Sequence, residues 1–175
     1  FWIVPGPVTL LVAQSIALAL GAPAVYLLAR CRLGDERLAA LFALLYLVNP
    51  SLQGMNVRDF HAAALAVPLL LWAFVAADAG RAVLFVDALV LTLATREDAA
   101  LAVMGVGLWL ALGRRQWWAG AATALGAFAV LWIDLRWIIP MFRGEPYSHL
   151  ARYAAFGGSL TEILAGVVLH PLRTL

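Results

Sequence analysis

Two short polar clusters carry the residue types that chemistry needs. Arg58-Asp59-Phe60-His61 joins a guanidinium, a carboxylate and an imidazole, and Arg96-Glu97-Asp98 joins a guanidinium and two carboxylates. A carboxylate beside a histidine suits general acid–base work, and arginine suits a phosphate, which its planar fork can grip through paired N–H donors. Asp59, Glu97 and Asp98 also supply hard oxygens of the kind magnesium or manganese takes, although no ligand spacing singles out a metal site. The candidate catalytic residues are therefore Asp59, His61, Glu97 and Asp98, with Arg58 and Arg96 as candidate substrate contacts.

Each of these residues also has a purely structural reading. Asp59 can cap the helix that follows it, and Thr95 with Asp98 three residues later forms a capping box. Arg58 and Arg96 can snorkel to an interface or pair with neighbouring acids, and His61 can be a hydrogen-bonded structural histidine. What favours chemistry is that acids, a histidine and arginines gather here in a chain that otherwise avoids charge.

That avoidance is strong. Of 175 residues, 65% are hydrophobic and 13% charged, against about 45–50% and about 25% in ordinary soluble domains. Mean hydropathy is +0.92. Polar surface is too scarce to cover a water-soluble globule, and disorder or a disulfide-stapled secreted module is excluded. The chain reads as a membrane protein, with membrane lipid as its surroundings. Its formal charge is only +2 and its twelve arginines are scattered, so no basic face exists for a nucleic acid to follow. The single cysteine, Cys31, allows no internal disulfide.

Charged or turn-forming clusters divide the apolar sequence into five or six expected helices of an all-α, polytopic transmembrane bundle. They run over Pro7–Ala29, Asp35–Asn49, Phe60–Ala77, Ala82–Thr95, Ala99–Leu112 and Trp117–Ile139. Asp35 is a suitable N-cap, Asn49-Pro50 ends the second helix, and Ser51–Arg58 is a polar stretch outside it. The fourth and fifth helices, at fourteen residues each, rise about 21 Å, less than a hydrocarbon core of roughly 30 Å. The Arg96-Glu97-Asp98 turn between them is expected below the membrane surface, where charged irregular backbone persists only against protein or a watery cavity.

Parity places the two polar clusters together. Two crossings separate them, so they face the same side in either orientation, each at the N-terminal end of a helix that favours anions. The turns at Arg30–Arg37, Asp78–Arg81 and Gly113–Gln116 share the other side and hold six arginines in short loops, which places that side in the cytoplasm. Asp87, in the middle of the fourth helix, is expected to face other helices. Trp117, Trp118, Trp132 and Trp137 fit interfacial belts, with Asp134 and Arg136 as interface anchors, while Gly105 with Gly107 and Gly120 with Ala124 suit close helix packing. Residues 1–140 form the expected bundle, and 141–175 an extracytoplasmic interfacial segment. In that segment Ser159-Leu160-Thr161-Glu162 reads as a capping box. With no initiator methionine and no signal peptide before the first apolar run, the chain reads as an excerpt of a longer protein.

Several runs carry a resemblance. Leu45-Tyr46-Leu47-Val48-Asn49-Pro50, Gln53-Gly54, Asp59-Phe60-His61, Arg96-Glu97-Asp98-Ala99-Ala100-Leu101, His149-Leu150-Ala151-Arg152-Tyr153 and Gly157-Gly158-Ser159 resemble the prokaryotic domain of unknown function 2079 family of predicted membrane proteins. That family is similar to the GT-C superfamily of multi-spanning glycosyltransferases, which use polyprenyl-phosphate sugars on the outer face. The resemblance implies a GT-C-like bundle in a prokaryotic plasma membrane, with an acid that deprotonates an acceptor hydroxyl on the extracytoplasmic side. Asp59 would be that base or an acceptor-orienting acid and His61 its neighbour. Arg96 would contact the phosphate, and Glu97 with Asp98 would orient groups or bind a metal. GT-C enzymes usually place their key acid after the first transmembrane helix, and that helix with its loop is expected to lie outside this excerpt, so the alternative is that the residues here support a base outside the chain; the family also commonly carries Lys where Arg96 stands and proline where Ala62 stands. The competing class is a transporter or channel that uses the same charges with Asp87 as an ion or proton path, and a non-catalytic scaffold is the third.

Overall fold

The computed structural model describes residues 7–143, apart from the side chains of Pro7, Arg58 and Arg143. The described residues are helical apart from short turns, with no strand among them: α1 (Pro7–Ala19), α2 (Gly21–Leu33), α3 (Glu36–Leu47), α4 (Pro50–Arg58), α5 (Ala62–Asp78), α6 (Ala82–Leu93), α7 (Ala99–Leu108), α8 (Trp117–Ile133) and α9 (Ile139–Arg143). Wide five-residue turns, Trp109–Gly113 and Asp134–Ile138, follow α7 and α8. The capping box expected at Ser159–Glu162, with most of the interfacial segment, lies outside the described residues. The chain divides into two packing units, Phe1–Leu131 and Trp132–Leu175.

Local sequence explains most boundaries. Gly34, with a left-handed φ of 68°, closes α2, and Asp35 caps α3 by accepting the Arg37 and Leu38 amides at 2.7 and 3.1 Å. At the far end of α5, Gly80 (φ 67°) ends the helix as Arg81 N–H donates to Ala76 O and Gly80 N–H to Ala77 O, the paired bonds of a Schellman motif.

Of the boundaries that differ from expectation, two have a local cause. The first span is one apolar run in sequence but breaks at Leu20, because Pro23 offers no N–H to the Ala19 carbonyl and crowds the turn before it. The loosened backbone finds partners elsewhere: Tyr46 OH donates to Leu18 O and Trp72 Nε1 to Leu20 O, both at 2.9 Å. Ser51–Arg58, expected as a polar stretch outside the helices, is helical. Asn49 and Pro50 act there as a start signal, the Asn49 carboxamide accepting the Ser51 and Leu52 amides with Pro50 in the first turn. Gln53 donates back to Leu47 O at 2.6 Å, tying α4 to the end of α3.

Among the described residues three stretches are long and apolar enough to cross a membrane: Val8–Leu33, Glu36–Val57 and Trp117–Phe142. Between the second and third lie α5, α6 and α7, of 17, 12 and 10 residues, rising about 25, 18 and 15 Å. The core of the first unit is made of small and branched side chains, Ala73, Ala88, Leu89, Val103, Val106 and Ala127. Larger residues such as Leu41, Val83, Leu101 and Leu125 point outward, as they do where the solvent is hydrocarbon. The helices α7 and α8 touch through Gly107 and Gly120: a Cβ on Gly107 would lie 2.7 Å from Gly120 O, and one on Gly120 2.5 Å from Gly107 O. Gly105, expected to share this role, faces open space.

Candidate functional site

The Asp59–His61 turn is held from below by one side chain. Gln14 on α1 is fully buried. Its Oε1 accepts the His61 amide at 2.8 Å, while its Nε2 lies 3.1 Å from Met55 O and 3.4 Å from Asp59 O. The neighbouring Ser15 hydroxyl lies 2.9 Å from both Leu11 O and Asn56 Oδ1, bracing α4 against α1. A carboxamide suits this place because the turn presents both an orphan N–H and carbonyl acceptors, and a single Gln supplies both polarities.

Asp59 is the C-cap of α4, in extended backbone (φ −155°, ψ 168°). The expectation that it caps the next helix is corrected: the N-cap of α5 is His61, which makes no side-chain cap bond. The carboxylate of Asp59 and the ring of His61 are exposed. His61 Nδ1 lies 3.0 Å from Asp59 O. A carbonyl only accepts, so a hydrogen bond here puts a proton on Nδ1. Arg58 ends α4, and its side chain lies outside the described residues.

In the second cluster Arg96 pairs with Asp98 at 2.9 Å, both roughly half exposed, and Glu97 is half-buried between them. The expected Thr95/Asp98 capping box does not form. Thr95 Oγ1 donates backwards to Thr92 O at 2.7 Å, and Asp98 already has helical backbone, so its side chain makes no cap bond. The hairpin of α5 and α6 sets the start of α5 and the end of α6 at one end of the first unit, and so brings both clusters to that end. Among the described residues no three of His, Cys, Asp and Glu converge on a point that could hold a metal ion.

The opposite end holds a cluster that the sequence reading did not isolate. Asp78, at the end of α5, is largely buried. Its two oxygens receive Arg32 Nη2 at 3.2 and 3.0 Å, and Oδ1 also accepts from Arg114 Nη1. Arg114 lies over the Trp109 ring, 5.5 Å from its centroid, and Trp109 meets Phe74 edge to face. One acid thus gathers three of the arginine-rich turns, as parity requires of turns on one side. The signal was present: Asp78 is a lone acid ending an apolar run between arginine turns. Gln14-Ser15, two polar residues inside the first apolar span, was a comparable signal.

A family model described as predicted membrane protein, DUF2079, matches residues 1–175. No curated protein and no solved structure shows a match to the chain.

Proposed function

This chain belongs to the DUF2079 family of predicted membrane proteins, and from that premise we propose that it is the membrane-embedded part of a GT-C-like glycosyltransferase acting on the extracytoplasmic face. The donor is a polyprenyl-phosphate sugar. In the transfer an acceptor hydroxyl attacks the anomeric carbon, a new C–O bond forms, the bond from that carbon to the phosphate oxygen breaks, and the polyprenyl phosphate leaves. The hydroxyl proton passes to the Asp59–His61 pair. Arg58 and Arg96 hold the phosphate, and Glu97 and Asp98 orient the groups around it.

The observation that carries this reading is the His61 ring. Its Nδ1 lies 3.0 Å from the Asp59 backbone carbonyl, in a turn clamped by the buried Gln14, and a proton held on Nδ1 by that bond leaves Nε2 as the ring's acceptor, two residues along the sequence from the exposed Asp59 side chain. Arg96 is engaged with Asp98, but an exposed pair contributes only about 0.2–1 kcal/mol, so a phosphate can compete for the guanidinium. No step is assigned to a metal.

The test is sugar transfer from polyprenyl-phosphate donors by the full-length protein in vesicles. His61→Ala and Asp59→Asn should each lower turnover by about 10²–10⁴-fold, the range general acid–base groups contribute. Unchanged turnover in both variants refutes the assignment.

A further inference from the structure

A groove of about 650 Å³ runs between α2, α5 and α6. Leu27, Leu69, Trp72, Leu84 and Leu91 make up its apolar walls, and its ionisable lining groups other than Cys31 are Asp78, Arg81 and Asp87. In a membrane such a furrow is filled by a hydrocarbon chain, so the chemical question is which headgroup sits at its end. The end at Asp78 and Arg81 carries an excess of positive charge. Asp78 is already bound by Arg32 and Arg114, whereas Arg81 is exposed and makes no ion pair among the described residues. Arg81 is also the N-cap of α6, with no side chain capping that helix, so the first-turn amides and the positive end of the helix dipole favour an anion at the same place.

We propose that this groove binds one anionic phospholipid, with its phosphate on Arg81 and an acyl chain along Leu84, Leu69 and Leu91. Basic pockets between membrane helices select anionic headgroups through this combination of a fixed cation and an apolar slot. Asp87 lines the groove six residues further along α6, about 9 Å from Arg81 along the axis, beside the chain and away from the phosphate. The site lies at the opposite end of α5 from Asp59 and His61, about 25 Å away along the helix. It does not depend on the glycosyltransferase reading.

Native mass spectrometry of the full-length protein, released from detergent with phosphatidylglycerol or phosphatidylcholine of identical acyl chains, reads the site directly. The unaltered protein should retain phosphatidylglycerol in preference to phosphatidylcholine. Arg81→Gln should lower that preference about fivefold, the factor one basic residue near an anionic surface is worth. Asp87→Asn should leave the preference intact. Leu84→Trp, which changes no charge, should reduce retention of both lipids by filling the slot. Equal retention of the two lipids by the unaltered protein, an unchanged preference in Arg81→Gln, or undiminished retention in Leu84→Trp would each overturn the proposal.

Discussion

Replacing Gln14 with leucine tests how the Asp59–His61 turn is held. Leucine has nearly the same bulk, so packing against α4 and α5 survives while the three hydrogen bonds to Met55 O, Asp59 O and His61 N–H disappear. Two routes to the magnitude agree. Side-chain hydrogen bonds inside membrane proteins average about 0.6 kcal/mol each, and three of them give about 2 kcal/mol. Counted the other way, the dominant loss is the His61 amide, left part-buried without its acceptor, at about 1–3 kcal/mol, since Asp59 O keeps the His61 ring as a partner. The expected loss is therefore about 2 kcal/mol. Unfolding in mixed detergent micelles measures it globally, and hydrogen exchange at the His61 amide measures it locally, where the same free energy is a rise of about 30-fold in rate. Gln14→Glu keeps an acceptor for the amide but turns a second oxygen toward two carbonyls, and should fare no better than leucine. A Gln14→Leu protein within about 0.5 kcal/mol of the parent, with unchanged exchange at His61, would show that the turn is held by something other than this clamp.

Asp78→Asn should destabilise the protein by about 1.5–3 kcal/mol, because charge-assisted bonds to two guanidinium groups are lost at a largely buried position. In a double-mutant cycle with Arg114→Leu the two losses should fall short of additive by at least about 0.5 kcal/mol, and strict additivity would refute the hub. Gly107→Val should cost about 1–3 kcal/mol or more by forcing α7 away from α8. Gly105→Ala, two residues away in open space, should instead stabilise by about 0.5–1 kcal/mol, and thermal unfolding of the pair in one detergent distinguishes them.

Much of the architecture was legible because hydrocarbon as solvent leaves few options: each apolar run must satisfy its backbone internally and so becomes a helix. Asp35 was readable as a cap for the same local reason, since an extended Asp before an apolar run has amides within reach and nothing else to bond. Where a signal had two local meanings the reading failed. Asn49-Pro50 ends one helix and begins the next, and only the Gln53 bond to Leu47 O and the Asn49 cap show that the polar residues after it continue as α4. Thr95 and Asp98 have the spacing of a capping box, but Thr95 bonds backward to Thr92 O and the box never closes.

The candidate site divides in the same way. That Asp59, His61, Arg96, Glu97 and Asp98 lie at one end follows from counting crossings, which needs only the order of apolar and polar segments. That His61 Nδ1 meets Asp59 O, that Gln14 reaches the turn from 47 residues away, and that Arg32 and Arg114 both close on Asp78 depend on how each helix is rotated and how far it is slid along its neighbours. Those two quantities are set by contacts such as Gly107 against Gly120, where the absence of a side chain lets backbones meet. Composition and periodicity determined that the chain is a set of membrane helices with charge gathered mostly at their ends, Asp87 being the mid-helix exception. Which polar groups face one another was decided only by packing, because hydrophobicity is indifferent to the angle at which two apolar helices meet.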